Sequence, residues 1–231
     1  MFKQFYDQTS STLTYLLTDS DSKKAVLIDP VTENIEQYLY VIKANQFELL
    51  YSLETHVHAD HITAGGRLKN ITNAKTAVSK DCGADTADIQ LKDNDVISFG
   101  NETIKVIATP GHTAGSVSFL WKDRLFTGDS LMINGCGRTD FQSGDAGQLY
   151  ECITTRLFTL PDETLVFPGH DYNGRRVSSI AQEKLTNQRL ANKTKDEFIS
   201  IMNHLNLPKP HLMDIAVPAN RKCGVPEPQQ G

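Results

Sequence analysis

No run of apolar residues in this 231-residue chain is long enough to span a bilayer, so no membrane helix is expected. Basic clusters are missing too; none is longer than the pair Arg175-Arg176. The formal net charge is −5 and the isoelectric point is near 5.8. Nucleic acid needs a basic surface to neutralise its phosphates, so this balance argues against it as the main partner. Cysteine is scarce: Cys82, Cys136, Cys152 and Cys223 show no CxxC spacing and suggest no disulfide framework. A reducing, cytoplasmic setting is therefore expected. The first seven residues show neither a signal-peptide apolar stretch nor an Arg-rich leader. Repeats, low-complexity stretches and linkers are absent.

What is present suits an ordinary globular protein, with 39% hydrophobic and 22% charged residues. The length fits one domain over 1–231, with 177–231 a helical and extended C-terminal segment. Strands are expected at 13–17, 25–29, 49–53, 76–79, Val96–Phe99, 103–108, Val117–Trp121, 124–127 and 165–167. Helices are expected at 33–45 with Thr32 as N-cap, at 62–68, 146–160, 177–188 and 196–205. In the 146–160 helix, Leu149, Ile153 and Leu157 are expected in the core or in a dimer interface. Phe119 and Trp121 are expected in the core. The last stretch carries Pro208, Pro210, Pro218, Pro226 and Pro228 and should run as ordered coil. Strands interspersed with helices suggest an α/β fold of two sheets between helical layers.

The densest chemistry is Thr55-His56-Val57-His58-Ala59-Asp60-His61, directly after the apolar strand ending at Leu53. So many polar, ionisable groups beside a buried strand are unfavourable unless a cation neutralises and orders them. A solvated polar loop is the plain alternative. Three further turns argue against it, because each follows an expected strand: Thr109-Pro110-Gly111-His112, Gly128-Asp129 and Pro168-Gly169-His170. The carboxyl ends of strands are where α/β sheets place their sites. Glycines let the backbone turn tightly enough to aim side chains there.

His56-Val57-His58-Ala59-Asp60-His61 resembles the HxHxDH signature of the metallo-β-lactamase superfamily, with His112, Asp129 and His170 completing it. The resemblance implies an αββα sandwich of two mixed sheets between helical layers. Two branches share these ligands. In glyoxalase II hydrolases all seven groups hold two metals, and a bridging hydroxide attacks a glutathione thioester. In persulfide dioxygenases only the equivalents of His56, His112 and Asp129 hold one iron.

Three further segments resemble the persulfide dioxygenases: Gly135-Cys136-Gly137-Arg138-Thr139-Asp140-Phe141-Gln142, His170-Asp171-Tyr172, and Leu205-Asn206-Leu207-Pro208-Lys209-Pro210 followed by Ala216-Val217-Pro218-Ala219-Asn220. Glyoxalase II also has a larger helical C-terminal domain, whereas 61 residues follow His170. One departure is Asn187-Gln188-Arg189, where the family usually shows Asn-Pro-Arg; its loss should loosen the turn and keep the arginine.

The resemblance implies one Fe(II) per chain and oxidation of glutathione persulfide with O₂ and water to glutathione and sulfite. A dinuclear zinc thioesterase is the alternative. Two histidines and a carboxylate form a facial triad that leaves three positions open. His58, Asp60, His61 and His170 would then orient the ligands and hold water. Glutathione's carboxylates need local positive charge: by resemblance Arg189 with Tyr172 supplies it. Arg138 and Arg221 are further candidates, and Arg138 is equally suited to pairing with Asp140. Cys136 is expected as a packed thiol; Cys223 resembles a family cysteine near the site entrance but is read as inert. The family suggests a homodimer.

Overall fold

Residues 13–17 lie in β2 (Leu13–Asp19), a strand buried along its whole length in the computed structural model, which describes residues 1–225. Burial on both faces explains why Tyr15, Leu16 and Leu17 follow one another with no polar residue between them. Around it β1 (Phe2–Tyr6), β3 (Lys24–Ile28), β4 (Glu48–Leu53), β5 (Lys75–Ser79) and β6 (Ile89–Leu91) form a six-stranded sheet in chain order. β1, β2 and β3 pair antiparallel. β3, β4 and β5 pair parallel. Each parallel step needs a crossover, supplied by α1 (Ile35–Ala44) and α2 (Gly65–Thr72). α1 buries Ile35, Tyr38, Val41 and Ile42 against Leu16 and Leu27.

The helix starts differ from expectation. Thr32 does not cap α1: a 3₁₀ turn over Thr32–Asn34 comes first, and the Thr32 hydroxyl donates to Thr63 O at 2.8 Å. α2 begins at Gly65 rather than 62 because the preceding backbone is tied elsewhere. Ala64 N–H donates to Pro30 O at 2.7 Å, and Ile62 O accepts from Thr32 N–H at 2.9 Å. β1 and β6 were not anticipated; Phe5 alone of β1 is buried.

Met1–Gln90, Phe99–Glu102 and the described residues from Lys209 to Val225 make one compact unit. Its C-terminal part corrects the expected coil: residues Met213–Asn220 form α6, with Pro218 inside it. Ala216 and Asn220 are buried, so tertiary contacts hold a helix that propensity alone would not. Pro226 and Pro228 lie outside the described residues.

The second unit, Leu91–Ser98 with Thr103–Pro208, is built on a sheet of β7 (Val96–Phe99), β8 (Glu102–Ala108), β9 (Val117–Trp121), β10 (Arg124–Gly128), β11 (Leu165–Pro168) and β12 (Ser178–Ser179). Its order is β12-β11-β10-β9-β8-β7. β10 and β11 pair parallel across α3 (Ala146–Cys152), whose last turn widens into a π-helical turn over Ile153–Leu157. The other pairings recorded around it, β8–β9, β9–β10 and β11–β12, are antiparallel. α4 (Ile180–Thr186) starts later than expected because Ser178 and Ser179 join the sheet and the Ser179 hydroxyl caps it. α5 (Lys195–Asn203) opens with a Thr194/Glu197 capping box. Leu149, Ile153 and Leu157 are fully buried core residues with Leu125, Val166 and Phe198. Phe119 and Trp121 are buried as well. Among the described residues no helix is long and apolar enough to cross a membrane.

Candidate metal centre

In the first unit β4 ends at Leu53, and the next residues form a loop whose polar groups are nearly all buried. Asp29, just past β3, organises it. Its carboxylate accepts from Thr55 N–H at 2.7 Å and from the Thr55 hydroxyl at 2.8 Å. Asp29 itself has φ +51°, a left-handed conformation that aspartate tolerates better than most residues. The Thr55 oxygen lies 3.0 Å from His56 Nδ1. With its hydrogen committed to Asp29, that oxygen can only accept. His56 therefore carries its proton on Nδ1 and a lone pair on Nε2.

The His58 ring packs between those of His56 and His61, at centroid distances of 4.1 and 4.4 Å. His58 Nε2 lies 3.2 Å from Asp29 Oδ1 and 3.4 Å from Glu54 Oε2. Burial alone would lower the His58 pKa, but the two carboxylates outweigh it and push it up. Burial likewise pushes the Glu54 carboxyl up. His61 Nδ1 lies 2.9 Å from Asp60 Oδ2, and Thr12 Oγ1 bonds the same carboxylate at 3.2 Å. His58, Asp60 and His61 thus come together, with one ligand atom from each within 4.8 Å of the others.

In the second unit His112 follows β8, Asp129 follows β10 and His170 follows β11. His112 Nδ1 lies 2.6 Å from the Arg138 carbonyl oxygen, an acceptor only, so His112 also keeps its lone pair on Nε2. That nitrogen lies 3.7 Å from Asp129 Oδ2. The other Asp129 oxygen accepts from His170 Nδ1 at 2.7 Å. Glycines make this approach possible. A Cβ on Gly137 would stand 2.6 Å from His112 Nδ1, and one on Gly169 would stand 2.8 Å from Asp129 Oδ1.

The substrate-binding candidates divide. Tyr172 is 67% exposed and stacks parallel to His170 at 6.0 Å. Arg138 grips Asp140 through Nε at 2.6 Å and Nη2 at 2.7 Å, and donates to the carbonyls of Pro208 at 2.6 Å and Leu207 at 3.1 Å. Its guanidinium also lies over the Phe141 ring. Arg189 is half-buried; its Nη1 donates to the Cys136 carbonyl and lies 3.8 Å from Cys136 Sγ. Where the family usually has proline, the turn is closed by Asn187 Oδ1 accepting from Arg189 N–H at 3.1 Å. Arg221 is an exposed residue just past α6. All four cysteines are free and buried. Burial pushes the thiols of Cys82, Cys136 and Cys152 up to about 12, 11 and 12.

Sequence reasoning missed three supporting residues. Asp29 looked like the end of an apolar strand, and Thr55 like a spectator beside the histidines. Asn220 donates to the carbonyls of His58 at 2.9 Å and His61 at 2.8 Å and accepts from Thr63 N–H at 2.9 Å. The only signal for Asn220 was its place in the irregular C-terminal motif.

Each unit thus holds an imidazole with Nε2 left for coordination, and the second also a carboxylate steadied from one side; these donor types suit a divalent metal. The family model described as Metallo-beta-lactamase superfamily matches residues 8–170, and the chain belongs to that superfamily of metal-binding α/β proteins. Within it, the chain belongs to the persulfide dioxygenase family. It is 46% identical over 231 residues to the human protein named persulfide dioxygenase ETHE1, mitochondrial, covering 99% of this chain and 90% of that protein. The crystal structure of ETHE1 from Myxococcus xanthus superposes with a TM-score of 0.96 at 52% identity, covering 97% of this chain and all of the other. A Dictyostelium discoideum protein named Glyoxylase B2 is more distant, at 28% identity over 270 residues, covering 98% of this chain and 91% of that protein.

Proposed function

We propose that this chain is an iron-dependent persulfide dioxygenase that oxidises glutathione persulfide with O₂ and water to glutathione and sulfite. The observation that carries it is near-full-length similarity to a human persulfide dioxygenase, at 46% identity over 99% of the chain. His56, His112 and Asp129 are the proposed ligands of one Fe(II) per chain. The donor set is the two-histidine, one-carboxylate group of non-haem iron oxygenases. When bound, iron(II) would supply open coordination positions and electrons for dioxygen.

The chain's own residues prepare these ligands. Thr55 and the Arg138 carbonyl fix the two imidazoles in the tautomer that keeps Nε2 unprotonated. His170 holds one oxygen of Asp129 and leaves the other to coordinate. His58, Asp60 and His61 are assigned to orienting the loop and its water rather than to a second metal. Tyr172 and Arg189 are assigned to the thiol carrier, one carboxylate of which would take a charge-assisted bond from Arg189. Arg138, already gripping Asp140 and two carbonyls, would touch the carrier only at the edge. The family also suggests a homodimer. The free, buried cysteines support a reducing compartment.

The competing hydrolase would cleave a glutathione thioester with two metals and no oxygen. Oxygen-electrode traces with glutathione persulfide, beside hydrolysis assays with lactoylglutathione, separate the two. Stoichiometric oxygen uptake with sulfite formation is expected. Thioester hydrolysis without oxygen uptake would overturn the assignment.

A further inference from the structure

The histidine loop has no regular secondary structure between Glu54 and Ile62, so its backbone carbonyls need partners from elsewhere. Two of them, at His58 and His61, find the same one: the side-chain amide of Asn220. An amide offers two N–H bonds and an acceptor oxygen, and Asn220 uses all three, the oxygen taking Thr63 N–H. Three bonds from one buried side chain thereby set the span from residue 58 to residue 63.

A second contact is independent of the first. Val57, between His56 and His58, points into a small apolar cluster with Val78, Cys82, Ala84 and Cys223, against which Val217 packs. Cys223 also accepts the amide of Gly66 at 2.7 Å through its carbonyl. Gly224 follows with φ +75°, and a Cβ there would lie 2.0 Å from Thr63 O. The residues after Ile215 therefore meet the histidine loop through hydrogen bonds, apolar contact and close backbone approach.

From this we infer that Asn220 is a positioning residue for the metal-binding loop, and that docking of the segment Met213–Asn220 is thermodynamically linked to metal affinity. The inference rests on the proposal that His56 is a ligand. A loop whose carbonyls are pinned presents His56 in one place, and a loose loop must be ordered when metal binds. Residues that orient ligands in this way typically change metal affinity 10–100-fold when removed. Linkage is reciprocal, so bound metal must tighten the clasp by the same factor.

The test uses the full-length protein stripped of metal and titrated anaerobically with Co(II), followed by visible absorption. Asn220→Ala should raise the Kd for Co(II) about 10–100-fold while far-UV circular dichroism at 25 °C stays unchanged. Asn220→Asp keeps the acceptor for Thr63 but sets a carboxylate against two carbonyls, so it should bind no better than Asn220→Ala. Native-state hydrogen exchange of the unmutated protein gives a readout that needs no variant to fold. Saturating Co(II) should slow exchange of the Thr63 amide and the Ala216 amide by a similar factor. An unchanged Kd in the folded variants, or unchanged exchange at Thr63 and Ala216, would overturn the inference. His56→Ala separates the two levels. If it binds Co(II) as tightly as the parent, the ligand proposal fails. If it loses binding while Asn220 has no effect, only the clasp fails.

Discussion

His112 Nδ1 donates to the backbone carbonyl oxygen of Arg138 at 2.6 Å. A carbonyl cannot donate, so this bond fixes the tautomer of a proposed metal ligand without a second titratable group. Arg138 in turn is immobilised by its bidentate grip on Asp140 and its bonds to Leu207 and Pro208. A guanidinium fork suits that arrangement and an ammonium does not. We therefore expect Arg138→Lys to weaken metal affinity, by about tenfold, with a smaller change in KM. Metal titration and steady-state kinetics check this. A large rise in KM at unchanged metal affinity would instead make Arg138 a substrate contact.

Thr55 plays the matching part for His56. Thr55→Val removes one hydroxyl, preserves the side chain's shape and frees the His56 tautomer. It also leaves Asp29 Oδ2 without its Thr55 partner in a buried site. The expected loss of metal affinity is about 10–100-fold, and the melting temperature should fall as well, because a buried acceptor loses its donor. Isothermal titration with a divalent metal decides it, an affinity within twofold of the parent being the contrary result.

Arg189→Ala should raise KM for glutathione persulfide by a factor of about ten to a hundred, the loss of one charge-assisted contact, with kcat little changed. The bond from Arg189 to the Cys136 carbonyl makes a rival outcome concrete. If bracing that turn is its whole role, stability and metal affinity will drop while KM holds.

The thiols give a pH prediction. Cys82, Cys136 and Cys152 have pKa values raised by burial from the ordinary 9.0 to about 12, 11 and 12. A raised pKa means that the unfolded chain loses these protons first as pH climbs. Their contribution to stability is full below pH 9 and declines from there toward pH 11–12. Urea midpoints should therefore fall between pH 8.5 and pH 10, and a thiol reagent should label the native protein slowly and all four cysteines after unfolding. Rapid labelling of Cys136 in the native state would contradict its packed role.

Much of this was legible in the sequence because the signals were local. The strands Val96–Phe99 and Val117–Trp121 form over the expected residues, since Ile97 and Phe99 in the first and Val117, Phe119 and Trp121 in the second are buried. The turns bearing His112, Asp129 and His170 follow strands as expected. Three things were hidden because their causes are distant in the chain. α2 starts late because residues 62–64 bond to Thr32, Pro30 and Asn220. A helix forms around Pro218 because Ala216 and Asn220 are buried by residues far earlier in sequence. Asp29 and Thr55 steer His56 through bonds that no spacing rule encodes.

The metal content of protein purified without oxygen tests the central claim most directly. Elemental analysis should find one iron per chain and negligible zinc, and His56→Ala, His112→Ala and Asp129→Ala should each abolish it. Two zinc ions per chain, retained after purification and supporting thioester hydrolysis, would contradict the account.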